Sequence, residues 1–187
     1  MGVYATYYRT TPEQLALMQR DAQRTWQVMG ELDTEENQDR VFSIHRAWHG
    51  LLYLLKQNWR DTDAEPSTTL ERAVRGGAVV NAAYSERYEG GARPTRCLSP
   101  EEVSAAATAL GDMRPDAFRG ALDLDDMTSS PQSVYGVPGT HWDPVAGRMV
   151  TPTPEEVASH YWRRLQELRN GYRKAAAAGD AVVVTLY

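Results

Sequence analysis

The sequence predicts an α+β fold in one domain spanning residues 1–187, a small sheet that takes in both ends of the chain and packs with about four helices. Three observations carry this. A chain of 187 residues is one domain long, enough to remove roughly 70% of its unfolded surface from water without a disulfide or metal. Its two ends, GVYATYYR and DAVVVTLY, are rich in Tyr and Val and short enough to be strands. Three segments between them share one helix-starting signature: Thr11-Pro12-Glu13-Gln14, Ser99-Pro100-Glu101-Glu102 and Thr153-Pro154-Glu155-Glu156. Each has a hydroxyl for the N-cap, proline at the first helical position, and Glu or Gln three residues on to return a hydrogen bond. Their flanks do not match, so they are not a repeat.

In chain order, residues 2–9 form the first strand. A helix over 11–29 follows, with Leu15, Met18, Ala22, Trp26 and Met29 on one face and Gly30 as its stop. Residues 31–40 are acidic and solvated. The stretch 41–59, VFSIHRAWHGLLYLLKQNW, is the most apolar at helical period, with Ile44, Ala47, Trp48, Leu51, Leu52, Leu54 and Leu55 recurring at three-and-four spacing. It predicts the central helix of the core. Residues 60–69 are a polar loop, 70–75 a helical turn stopped by Gly76-Gly77, and 78–80 a short strand. The segment 85–96, SERYEGGARPTR, reads as a glycine-and-proline turn. The second capped helix runs through Val103, Ala106, Ala107 and Leu110 to Gly111.

Residues 112–152 show little sustained period beyond a short helix at 115–122. A bare connection of that length is uncommon in a compact domain. It is therefore expected to lie over the core as a cover, pinned by Phe118, Leu122, Tyr135 and Trp142. The third capped helix sets Val157, Tyr161, Leu165, Leu168 and Tyr172 on one face and stops at Gly179. The last strand is apolar at nearly every position and would invite aggregation at an edge, which places it inside the sheet, beside the first strand.

A formal charge of −5 with no basic block excludes the phosphate-neutralising face that nucleic-acid binding needs. No apolar run approaches the ~18 residues of a membrane span, and no charged-then-apolar leader is visible. The lone cysteine, Cys97, can form no internal bridge, which points to a reducing, cytoplasmic setting. Eighteen arginines against two lysines suggest a GC-rich bacterial genome. MGVYAT also fits a myristoylation pattern at Gly2 and Thr6, although the same residues read better as strand.

His45 and His49 stand at the i, i+4 spacing that lets two imidazoles share a metal, with His141 as a distant third ligand. Arg46 occupies the place where the zinc-protease pattern has glutamate, and a helix-edge histidine bonded to a neighbouring loop is the plainer alternative. Tyr7, Tyr8, Trp48, Tyr53 and Trp142, with Arg96, are suited to a half-buried pocket wall or simply to the core. In the second case Arg96 pairs with a carboxylate or with carbonyls at a helix end. Gly76-Gly77 and Gly90-Gly91 lack the Lys and Ser/Thr of a phosphate loop. LDLDD fails as a calcium loop, because Thr128 and Val134 stand where Gly and Glu are needed. No G-x-S-x-G elbow is present, and Cys97, without a partner base, reads as a small buried residue.

Four blocks in order, MGVYATYYRTTPEQL, RAWHGLLYLL, RPTRCLSPEEV and LRNGYRKAAAAGDAVVVTLY, resemble the YfbM-like family of small bacterial proteins. The resemblance spans the chain and is weakest over 57–75 and 112–152. It implies one α+β domain and brings no activity, substrate or catalytic residue. Trp48, His49, Pro94 and Arg96 match the family pattern, whereas His45-Arg46 replaces an acid-then-lysine pair.

Without a complete catalytic constellation, the sequence favours a non-catalytic binding domain for a protein partner or small ligand. The candidate binding residues are Tyr8, Trp48, His49, Tyr53, Arg96 and Trp142. The alternatives are an enzyme with His49 as general base and a metal site at His45, His49 and His141. No cofactor is called for.

Overall fold

In the computed structural model, which describes residues 3–89, 93–129, 133–143 and 147–187, with the side chains of 142 and 143 outside that description, the first strand sets the frame. β1 (Ala5–Thr10) sends alternate side chains to opposite faces of one sheet. It pairs antiparallel with β7 (Ala181–Leu186), from Ala5 opposite Leu186 to Thr10 opposite Ala181, and along its other side with β2 (Val41–His45). β4 (Arg96–Leu98) joins the far side of β7, and β3 (Ala78–Val79) joins β4, giving the antiparallel order β2-β1-β7-β4-β3. The apolar C-terminal strand is thus central and lies beside the N-terminal one, where its backbone groups are paired on both sides.

Helices cover both faces, so the α+β class stands. On one face Tyr7, Ile44, Leu98, Val182 and Val184 pack with α3 (Trp48–Leu54), α4 (Thr69–Arg75), α6 (Pro100–Gly111) and α9 (Pro154–Ala178) in the larger core. On the other, Tyr8, Cys97 and Val183 meet Leu15 and Met18 of α1 (Pro12–Arg20) and Val28 and Leu32 of α2 (Ala22–Leu32). All three predicted capping boxes form, at Thr11/Gln14, Ser99/Glu102 and Thr153/Glu156. Gly179, at φ 71°, closes α9 in the left-handed conformation that glycine adopts without strain.

The predicted central helix over 41–59 is two elements. Its first five residues are β2, because Val41, Phe42 and Ile44 are strand formers and the outer edge of β1 needs a partner. Phe42 stacks on Tyr7, ring centroids 4.9 Å apart, and fills the space left by the missing side chain of Gly171 on α9. Only Trp48–Leu54 is helical, and Lys56, at φ 55°, ends it. This short helix is still the buried centre: Trp48, Leu51 and Leu52 are almost wholly enclosed. It approaches α9 closely because Gly50 leaves room for the Tyr161 ring.

Three further expectations change. The helix over 11–29 breaks at extended Asp21, whose side chain accepts from the amide of Gln23 to cap α2; α2 then continues through Gly30. The break reorients the second half, so Trp26 is 53% exposed and Thr25 is inward, its hydroxyl donating to Met18 O at 2.7 Å. The segment 85–96 begins inside α5 (Ala82–Tyr88), capped by Asn81, and ends in β4. Residues 112–152 hold α7 (Pro115–Ala121), α8 (Leu124–Thr128) and the hairpin β5 (His141–Asp143) and β6 (Arg148–Val150), so the cover is built of short elements. Phe118 anchors it in the core, with Leu122 and Tyr135 half-buried. The described residues therefore hold nine α-helices where about four were expected. The sequence readings at Gly2, Gly90-Gly91 and the Trp142 side chain lie outside the described residues.

The polar loop after α3 is tied down by a buried ion pair. Arg75 donates to Glu71 Oε1 at 2.7 Å, and their side chains are 3% and 1% exposed. The guanidinium also donates to the carbonyls of Thr62 and Ala64. Glu71 Oε2 accepts from the amide and hydroxyl of Ser67. Nearby, the Tyr7 and Tyr172 hydroxyls donate to Val74 O and Ala73 O at 2.7 and 2.9 Å.

Candidate ligand-binding cleft

At the end where Ala5 meets Leu186, a cleft of about 560 Å³ opens between the sheet and α5. Its floor is Tyr8 and Thr185, and its wall is Tyr84 and Tyr88, one turn apart on α5. Tyr187, Asp33 and Arg93 stand at the margin. The Tyr84 and Tyr88 rings are 5.2 Å apart, and exposed Trp26 stacks on Tyr88 at 5.0 Å, extending the aromatic row outward. Burial, aided by Tyr187 and the Asp33 carboxylate, holds the Tyr8 phenol well above its ordinary range. Burial, then Glu89 and Tyr88, also raise the Tyr84 phenol. Both therefore remain hydrogen-bond donors at neutral pH. Glu89 also lines the cleft, its carboxylate accepting from the amide and hydroxyl of Thr95.

Of the candidates named from sequence, Tyr8 lines this cleft. Trp48 backs it: its Nε1 donates to Val3 O at 3.2 Å, Val3 lines the cleft, and the Arg93 guanidinium lies 5.9 Å from the indole. His49 is committed elsewhere. Nδ1 accepts the Tyr135 amide at 2.7 Å, so the ring proton is on Nε2, which donates to Trp59 O at 2.6 Å. That leaves the imidazole no lone pair for a substrate, and it tethers α3 to the loops at 59 and 135. Tyr53 stands edge-on to Trp59 at 5.3 Å, its phenol pushed up to about 12 by burial and Asp126. Arg96 donates to Gly77 O at 2.7 Å, just past the end of α4, and is 9% exposed.

The spacing argument for a metal does not survive the fold, because His45 ends a strand while His49 lies on the next helix. His141 sits on β5, exposed, with Nδ1 3.3 Å from Gly139 O. Among the described residues no group of three or more His, Cys, Asp or Glu is placed to hold an ion. Cys97 is buried, and burial pushes its thiol up to about 11, so it is not a thiolate at neutral pH. Sequence reading missed Tyr84, Tyr88 and Tyr187. The available signal was two tyrosines four residues apart, and the following Gly90-Gly91 and Pro94 hid it by suggesting a turn.

The His49 tether predicts a pH response. Burial, helped by the Arg93 and Arg75 charges, lowers its proton affinity against the opposing bond to Trp59 O. The unfolded imidazole then binds a proton more readily than the folded one. Stability is full above the unfolded value of about 6.5 and falls as pH drops below it. His160, lowered by burial and by Arg164 and Arg163, acts in the same direction. Urea midpoints at pH 7.5 and 5.5 should therefore fall further apart in the wild type than in His49→Gln. Equal losses in the two proteins would show that the tether does not titrate.

Over residues 1–185 the sequence matches a family described as a domain of unknown function, DUF1877. The chain belongs to the DUF1877 family. Its fold is similar to the crystal structure of YfbM from Escherichia coli, a protein of unknown function, with a TM-score of 0.63. The alignment covers 98% of this chain and 99% of that one at 15% identity, a likeness of fold alone. No curated protein matches. Among the described residues, no helix is long and apolar enough to cross a membrane. This DUF1877 chain shares the YfbM fold over nearly its whole length.

Proposed function

We propose that the chain is a non-catalytic binding domain whose cleft between α5 and the free end of the β1–β7 pair holds a small ligand with a flat apolar body and a polar group. The composition of the cleft supports this reading. Among the described residues four tyrosines, Tyr8, Tyr84, Tyr88 and Tyr187, share it with one arginine and two carboxylates. A tyrosine offers an apolar face and a fixed polar tip, the combination that small-molecule sites use to hold and orient a ring. The volume of about 560 Å³ fits such a ligand. Two groups that could do chemistry are committed: His49 has both nitrogens bonded and Cys97 is a buried thiol. A general base at His49 would first have to release the Tyr135 amide, and nothing in the geometry favours that. The lone buried thiol also fits a reducing compartment.

A thermal-shift screen of small metabolites tests the reading, followed by hydrogen exchange on any hit. A true ligand raises Tm by mass action, protects amides at 84–88 and 183–187, and binds about tenfold more weakly to Tyr88→Ala, since one stacked ring contributes about 1–3 kcal/mol. Tyr88 is 36% exposed, so this variant keeps its fold. Hits that protect other segments, or bind Tyr88→Ala equally well, would refute it.

A further inference from the structure

At the end of β2 the chain leaves the strand through His45, at φ 52°. A non-glycine residue is uncommon in that left-handed region, and such outliers gather at functional sites. The turn delivers His45 and Arg46 to a pocket of about 460 Å³ whose far wall is His160 and Arg164 of α9. Gly136, at φ 77°, holds its loop so close that a Cβ there would lie 2.6 Å from the Arg46 carbonyl oxygen. Tyr4 places its ring 5.1 Å from the Arg46 guanidinium and edge-on to His45 at 6.3 Å. Among the described residues, none that lines the pocket is Asp or Glu. On a chain of net charge −5, two guanidiniums facing one cavity invert the local sign, and two imidazoles beside them add further hydrogen-bonding nitrogens.

We propose that this pocket binds a phosphoryl anion, held between Arg46 and Arg164, with His45 and His160 as further donors. Guanidinium forks match the oxygens of a phosphate, and charge-assisted bonds of this kind are the strong ones. Arg164 Nη1 is taken by Glu167 at 2.8 Å, one turn further along α9, which fixes the fork and leaves its other N–H groups for a ligand. The titratable and charged groups around His160 are Arg163, Arg164 and Glu167 on its own helix and His45 and Arg46 across the pocket. Burial first, then Arg164 and Arg163, lowers the proton affinity of His160, against Glu167. Among the described residues the pocket shares no lining residue with the tyrosine cleft, so either can fail alone.

The test is an NMR titration of the full chain with inorganic phosphate, with acetate and chloride at matched ionic strength, following the imidazole protons. Phosphate should act saturably at His45 and His160 and raise the His160 midpoint by about one unit, as a nearby opposite charge does. Arg46→Gln, at an exposed position, should weaken the response about tenfold. An equal response to acetate would overturn the phosphoryl assignment. A response no greater than that to chloride, or one unchanged in Arg46→Gln with Arg164→Gln, would overturn the site.

Discussion

Replacing Arg75 with alanine is expected to lower stability by about 3–5 kcal/mol, because it strands a carboxylate in the core. For a domain of this size that is a fall in Tm of about 6–20 °C. Glu71 is 1% exposed and would keep only the amide and hydroxyl of Ser67 as partners. The same change frees the carbonyls of Thr62 and Ala64, which accept from the Arg75 fork. The loop between α3 and α4 should then exchange its amides faster than the rest of the chain. Replacing both partners at once, Glu71→Leu with Arg75→Met, removes the unpaired charge as well as the pair. It should cost clearly less than either single alanine change, since an apolar pair of similar volume often substitutes for a buried ion pair. The exposed contact between Arg96 and Glu65, 4.0 Å apart with Glu65 86% exposed, is the control; Glu65→Ala should change stability by less than about 1 kcal/mol. Chemical denaturation of the four variants measures all of this. An Arg75→Ala cost near that of Glu65→Ala would mean that water reaches the pair.

What the sequence revealed follows from how local each signal is. The three capping boxes and the Gly179 stop depend on neighbours within one turn, and each formed where the residues placed it. The central place of Ala181–Leu186 was also legible, because four valines and alanines in a row are tolerated only when both edges are paired. The failure at 41–59 is of another kind. Val41, Phe42 and Ile44 fit either period, and the choice was made by β1, more than thirty residues away, which needed an edge partner. At Asp21 a side chain that caps overrode a face that would have continued. The candidate site was legible only through Tyr8 and, behind it, Trp48. Its remaining tyrosines come from α5 and from the last residue of the chain, which no sequence spacing connects. His49 shows the converse. A residue matching the family pattern beside aromatics invited a chemical role, and the fold spends both of its nitrogens on backbone groups.

Gly50→Ala should destabilise the protein by about 1–3 kcal/mol, although the intrinsic helix preference runs the other way. In an exposed helix, Ala is favoured over Gly by about 1 kcal/mol. Gly30 in α2 is such a site, with nothing within 4 Å of an added Cβ, and Gly30→Ala should stabilise. At Gly50 the Cβ would fall on the Cε1, Cζ and hydroxyl of Tyr161. That ring is wholly buried, so it has no solvent to swing into. Either α3 and α9 separate, which opens voids along the larger core, or Tyr161 leaves its rotamer. The Tyr161 hydroxyl has no hydrogen-bond partner among the described residues. Tyr161→Phe alone should therefore be neutral or stabilising, since it removes a buried polar group that gains nothing. Combined with Gly50→Ala, it should recover part of the loss, because one of the three overlapping atoms is gone. Thermal denaturation of the single and double variants gives the coupling directly. If Gly50→Ala proved as stabilising as Gly30→Ala, the close crossing of α3 and α9 would be wrong. The packing that centres the core on Trp48–Leu54 would then have to be redrawn.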